Sequence, residues 1–330
     1  MQLDIPVVFV IGPTASGKTA VSYDLAKMCG GQIINIDVGQ FYEPLSIGTA
    51  KPAWRNQAIR AHLFDVCATP EDFSVIQYRT MVLAKINELQ SKGIIPIVVG
   101  GSLFYVQSLF FPPKELAGIS NATKLVDATY PEESQSCPSK DPLSGANSLW
   151  QKLAAVDPAR AAQIHQHDIY RLQRALAIWT STGQLPSQLQ PTFNFNYPAY
   201  LLMLTPDRAV LRERIAQRTM QMLQLDGWID EAAKLIDTEW ELFVRAKGLL
   251  GYDLIFDAIR NGNATPSLLA PAIIQQTAQY AKRQLTFLRG FTKKILALNE
   301  QKKSIVLHSC SDHVDISYTQ VACLVRCLQK

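Results

Sequence analysis

No stretch of this 330-residue chain approaches the roughly eighteen uninterrupted apolar residues that a membrane-spanning helix needs. Neither a basic segment nor a small-residue cleavage pattern precedes the apolar run that begins at Pro6, so the cytoplasm is the expected location and no membrane association is expected. Cysteine is sparse. Six thiols, at Cys29, Cys67, Cys137, Cys310, Cys323 and Cys327, lie too far apart for a disulfide framework and read as reduced. Cys310, His313, Cys323 and Cys327 gather near the end, but their spacing fits no usual zinc pattern, and a short strand followed by a terminal helix accounts for them more simply. An excess of one charge is also missing. A formal net charge of +4 does not point to a polyanionic partner by itself, and no internal repeat divides the chain.

The apolar content of 48% is enough for a large core, and the length suits two domains or one domain carrying an insertion. Strand–helix alternation is clear near the start. Pro6–Ile11 reads as a buried strand, 18–28 as a helix, Gln32–Asp37 as a second strand, 74–90 as a long helix and Ile94–Val99 as a third strand that ends at Gly100-Gly101. Such alternation implies a parallel sheet flanked by helices, with ligands at the carboxyl ends of the strands. From 111 to 149 five prolines among Ser, Asn and Gly make regular structure doubtful. Helices return at 149–156, 158–164 and 168–181, the last with Asp168 as N-cap and Gly183 just past its end. Tyr200–Leu204 reads as a strand, 207–223, 228–240, 252–260 and 266–289 as helices, and 304–308 as a final strand.

One motif carries chemistry on its own. Gly12, Pro13, Thr14, Ala15, Ser16, Gly17, Lys18 and Thr19 have the spacing of a phosphate-binding loop and follow the first strand directly. In such a loop backbone N–H groups converge on phosphate oxygens, Lys18 adds a point charge, Thr19 offers its hydroxyl to Mg²⁺, and the next helix aims its positive end at the anion. A di- or triphosphate is the expected ligand. Asp37 ends the second strand at the same edge, where it suits either Mg²⁺ ligation or proton removal, unless it only caps the following turn. The run from Lys282 to Lys303 holds seven cations against Glu300, as a polyanion-facing surface or a solvated helix end would.

With these residues in view, the chain resembles the tRNA dimethylallyltransferases, the isopentenyl transferases of tRNA, along nearly its whole length to about Arg289. The resemblance rests on Gly12 to Thr19, on the segment Ile47-Gly48-Thr49-Ala50-Lys51-Pro52, and on Val99-Gly100-Gly101-Ser102-Leu103-Phe104-Tyr105. It continues through Asp157-Pro158, Arg171, Arg174, Thr182-Gly183, Arg218, Glu231, Gly251-Tyr252 and Tyr280-Ala281-Lys282-Arg283-Gln284. It implies a P-loop NTPase-like core at 1–112 and 197–300, a small, mainly helical insertion domain at 113–196 that contacts tRNA, and a strand–helix tail at 301–330. The loop would then grip the pyrophosphate of dimethylallyl diphosphate rather than ATP, with Mg²⁺ assisting. Asp37 would take a proton from the N6 amine of the adenosine 3′ of the anticodon, Ser102 would help orient the base or the diphosphate, and Lys18 and Arg218 would stabilise the leaving group. A base reaching such a site must leave its stack.

By the same resemblance Asp37, Val38, Gly39, Gln40, Tyr170, Arg171, Leu172, Gln173, Arg174, Gly251, Tyr252, Lys282 and Arg283 would contact the tRNA anticodon stem-loop. A monomer is the default expectation. Departures from the family pattern lie near the chemistry: Val38 for serine, Glu43 and Gly248 where basic residues are usual, Ala61 for histidine and Ala278 for arginine. The alternatives are a transferase acting on free adenine nucleotide, a non-catalytic RNA-binding paralogue, and a generic phosphoryl-transferring kinase.

Overall fold

Three strands, each buried along its whole length, form the centre of the computed structural model, which describes residues 5–112, 142–189, 191–299 and 305–310. They are β1 (Val7–Ile11), β4 (Pro96–Gly100) and β5 (Ala199–Leu204), continuous apolar runs of the kind a parallel sheet covered on both faces requires. With β2 (Gln32–Asn35), β3 (Ala61–His62) and β6 (Ile305–Cys310) they make a parallel sheet in the order β3-β2-β4-β1-β5-β6. The register places Val10 beside Val99 and Met203 beside Ile11. Because all strands run the same way, the loops after β1, β2 and β4 emerge at one edge.

The chain divides into two compact units, one of Met1–Glu71, Val82–Leu103 and Asn196–Lys330, the other of Asp72–Met81 and Phe104–Phe195. The first holds the sheet with α1 (Lys18–Cys29), α7 (Arg208–Gln224), α8 (Trp228–Ala233), α9 (Glu239–Lys247), α10 (Tyr252–Arg260) and α11 (Pro266–Asn299). Helix α2 (Val75–Ser91) runs through both residue sets, and α3 (Leu103–Phe110) begins at the end of one. The second unit contains α4 (Pro142–Val156), α5 (Pro158–Ala161) and α6 (Ile169–Thr182) around Leu153, Ala161, Ile164, Leu172 and Ala175. Asp157 caps α5 by accepting from the Arg160 N–H (3.0 Å), and Asp168 caps α6 by accepting from the Arg171 N–H (3.0 Å). Gly183 closes α6 in the left-handed conformation.

Some elements differ from the sequence reading. The span 228–240 is two helices, because Thr238 accepts from the Trp240 N–H (3.2 Å) and starts α9, after Asp237 turns through φ 59°. Helix α4 begins at Pro142, inside the segment expected to be irregular; proline is accepted in the first turn, where no N–H is needed. Helix α11 continues ten residues past Arg289, since Leu288, Phe291 and Ile295 extend its buried stripe across Gly290. The two-residue β3 is too short to show a pattern, and β2 stops pairing at Asn35, two residues before Asp37. The irregular entry at 113–141, the terminal helix, Cys137, His313, Cys323 and Cys327 lie outside the described residues. Among the described residues no helix is long and apolar enough to cross a membrane.

Gly248, where a basic residue is usual in the family it resembles, closes α9 with φ 59° and ψ 40°. A side chain there meets the left-handed penalty. Gly248→Arg is predicted to lower stability by about 1 kcal/mol, read as a fall in the urea midpoint. An unchanged midpoint would show that the turn tolerates a side chain.

Candidate active site

The phosphate loop turns from β1 into α1 through Ala15 (φ 60°) and Gly17 (φ 86°), left-handed conformations of the kind that build an anion-binding nest at a helix N-terminus. Lys18 bends back to donate to the Pro13 carbonyl at 2.6 Å. Burial lowers its ammonium to about 8; Asp37 opposes that drop and Arg218 adds to it. From α7, Arg218 donates to the Thr14 hydroxyl at 2.5 Å, and its guanidinium is likewise lowered by burial and held up by Asp37. Ser16, 1% exposed, has a hydroxyl with no protein partner inside the loop. Such a group suits a phosphate oxygen.

Asp37 lies two residues past β2, held by an Asn35 side chain that the sequence reading did not single out. The Asp37 N–H donates to Asn35 Oδ1 (3.0 Å), while Asn35 Nδ2 donates to the Asp37 and Leu63 carbonyls (3.2 and 3.0 Å). The Asn-x-Asp spacing is the only sequence signal for this clamp. Burial raises the Asp37 carboxyl above the usual carboxylate range, against the opposing pull of Lys18, the Gly39 and Gly101 N–H groups and Arg218. A half-buried carboxylate with a raised pKa beside two desolvated cations is a functional-site signature. Ser102 stands beside it: its Oγ accepts from the Val38 N–H at 3.2 Å and so helps set the turn that follows Asp37.

In the segment Ile47–Pro52 the polar groups serve the protein itself. Its cation is not free for a ligand, because Lys51 bonds Asp65, whose other oxygen accepts from Trp54 Nε1 (3.0 Å) and Arg55 (2.7 Å). Burial alone would raise the Asp65 carboxyl, but these donors hold it below its usual value. The segment's N-terminal end is gripped by Glu231 of α8. One carboxylate accepts from the N–H groups of Ser46 (2.9 Å), Ile47 (2.6 Å) and Gly48 (3.0 Å) and from the Tyr252 hydroxyl (2.6 Å). This backbone nest is an anion site filled by the protein's own side chain.

Three of the residues expected at the tRNA interface are buried. Leu172 is wholly buried in the helical unit's core, Tyr252 is 1% exposed with its hydroxyl on Glu231, and Gly251 is buried at the start of α10. Gln40 is 9% exposed and donates inward to the Thr49 and Ala50 carbonyls (3.0 and 3.3 Å). Tyr170, Arg171 and Gln173 are exposed on α6, Arg174 is half-buried with its guanidinium 5.7 Å from the Tyr170 ring, and Arg171 also pairs with Asp168 at 3.3 Å. Lys282 is exposed on α11 and Arg283 lies over Tyr280 at 5.8 Å. Val38 and Gly39 are half-buried beside Asp37. Among the departures, Glu43 is exposed, Ala61 is buried in β3 and Ala278 packs against the cluster of Leu211, Ile215 and Ala281.

Sheet order, loop and paired cations define a phosphate-loop α/β protein with a P-loop NTPase-like fold. The family model described as IPP transferase matches residues 40–291, and the chain belongs to that family. The tRNA dimethylallyltransferase of Lactiplantibacillus plantarum is 37% identical over 287 residues, covering 86% of this chain and 88% of its own. That of Bacillus subtilis is 35% identical over 288 residues with the same coverage. The full-length tRNA isopentenylpyrophosphate transferase of Bacillus halodurans superposes with a TM-score of 0.61 at 28% identity, over 98% of this chain and 97% of its own. A eukaryotic dimethylallyltransferase solved acting on tRNA gives a TM-score of 0.72 at 24% identity, over 96% and 77%, a likeness of fold.

Glu231→Ala is predicted to leave three N–H groups and a buried hydroxyl without an acceptor, lowering stability by about 2–4 kcal/mol. Thermal melts at matched pH read this, and a melting temperature equal to wild type would remove Glu231 as the clasp of the 46–48 turn.

Proposed function

We propose that this chain transfers a dimethylallyl group from dimethylallyl diphosphate to the N6 amine of the adenosine 3′ of the tRNA anticodon. The observation that carries this reading is the pairing of an intact phosphate loop with Asp37 at one sheet edge, in a chain whose relatives are tRNA dimethylallyltransferases. The amine nitrogen forms a bond to the allylic carbon as the carbon–oxygen bond to diphosphate breaks. Its proton passes to Asp37, and pyrophosphate leaves against the loop N–H groups, Lys18 and Arg218. A raised carboxyl pKa suits a base that works near neutral pH.

The donor set fits Mg²⁺. The Thr19 hydroxyl, at the exposed start of α1, is one hard oxygen and not a complete ligand set. That pattern matches an ion completed by phosphate oxygens and water, and Mg²⁺ so bound would neutralise charge on the leaving group. Tyr170, Arg171, Gln173 and Arg174 on α6, with Lys282 and Arg283, are the side chains we assign to tRNA, by stacking on bases and pairing with phosphates. We further propose that the enzyme acts in the cytoplasm as a monomer.

Transfer of label from dimethylallyl diphosphate to an anticodon stem-loop with adenosine after the anticodon tests the reading, with AMP as competing acceptor. Label in the stem-loop alone is expected. Label in AMP would move the acceptor to free nucleotide, and RNA binding without any label would favour a non-catalytic protein. The pH profile of kcat/KM for the donor should be bell-shaped. Its acid limb falls as Asp37 gains a proton, above the ordinary carboxylate range, and its alkaline limb falls as Lys18 loses one near 8. Asp37→Asn should cut transfer by about 10²–10⁴-fold at every pH; wild-type turnover by that variant would end the general-base assignment.

A double substitution, Arg171→Ala with Arg174→Ala, should raise KM for tRNA and flatten its salt dependence by about one to two ion equivalents. An unchanged salt slope would take both arginines out of the RNA interface.

A further inference from the structure

Gln284 is 3% exposed on α11, and both ends of its amide are hydrogen-bonded. The oxygen accepts from the Thr14 N–H at 2.8 Å and the nitrogen donates to the Gly101 carbonyl at 2.9 Å. The orientation of the amide is fixed by its partners, because a flipped group would set NH₂ against an N–H and oxygen against oxygen. Each partner leads to one side of the proposed reaction. Thr14 belongs to the phosphate loop and its hydroxyl accepts from Arg218 at 2.5 Å, whereas Gly101 lies against Asp37, where its N–H favours the ionised carboxylate. Gly101 must stay bare for this contact: a Cβ there would lie 2.8 Å from Gln284 Nε2 and 3.7 Å from Asp37 Oδ2.

We infer that Gln284 is a positioning residue that fixes the phosphate loop and the Asp37 carboxylate at a set separation, an inference that rests on the reaction proposed above. A primary amide suits this task. It offers an acceptor and a donor on one rigid plane, which an ionised carboxylate, an ammonium or a thioether cannot. The link also commits the Thr14 N–H to the protein, so the anion-binding donors of the loop begin after Thr14. The two ends of an in-line displacement must be held within a fraction of an ångström, and an error of about 1 Å costs on the order of a hundredfold in rate.

Gln284→Met keeps much of the side-chain length and volume while removing both hydrogen bonds. Its kcat is expected to fall by about ten- to a hundredfold. The acid limb of its kcat/KM profile should move to higher pH, because the Gly101 N–H no longer favours ionised Asp37, and pyrophosphate binding read by calorimetry should weaken. Gly101→Ala severs the same link from the other side and should give the same shift of the acid limb, which keeps the test open if the Met variant does not fold. Wild-type kcat and an unmoved acid limb would overturn the inference and leave Gln284 as packing. Pyrophosphate binding needs no turnover: if the wild-type protein fails to transfer a prenyl group, the proposed reaction falls, and equal pyrophosphate affinity in wild type and Gln284→Met would then overturn the positioning role as well.

Discussion

Keeping a carboxylate beside a phosphate site, partly out of water and still able to lose its proton, is the constraint on which the rest of this structure depends. Burial works against the ionised form of Asp37, and an incoming diphosphate adds like charge. Four groups offset this from separate elements: Lys18 at the start of α1, the N–H groups of Gly39 and Gly101, and Arg218 on α7. With its carboxyl pKa raised, Asp37 stabilises the fold fully only below the ordinary carboxylate range, and that contribution is lost as pH rises through the raised value. The cost at neutral pH is of the kind active sites commonly carry.

The surrounding architecture holds these charges in place without using them up. Lys51 and Glu231 are charged residues of family motifs, yet both are spent on structure, one on Asp65 and the other on a ring of backbone N–H groups. Together they tie down the segment after Asp37, which Gln40 then joins through the Thr49 and Ala50 carbonyls. A loop restrained by buried polar bonds keeps a single shape, because breaking any one bond leaves a desolvated group behind.

Much of this was legible in the chain itself, and the limits have physical causes. The buried strands, the phosphate loop and the caps at Asp168 and Gly183 follow from local rules, since period, turn chemistry and capping act over a few residues. That Arg218 joins Asp37 and Lys18 could be drawn only through the resemblance, because α7 is far from the loop in sequence. The bonding of Gln284, Glu231 and Asn35 left little trace: a polar side chain that satisfies distant backbone groups has no periodic signature. Burial is equally hard to read inside a recognised motif, where the side chains of Leu172 and Tyr252 pack in the interior.

The sheet order has a consequence for how the protein is made. Strand β1, which launches the phosphate loop, pairs with β4 on one side and with β5 on the other, and β5 follows the whole helical segment. On the ribosome β1 therefore waits with an open hydrogen-bonding edge until β5 has emerged, and β6 cannot pair with β5 until residues 305–310 do. The earliest-synthesised part of the catalytic apparatus is among the last to be sealed, so a truncated nascent chain would present its most apolar strand to chaperones rather than a half-formed enzyme to tRNA.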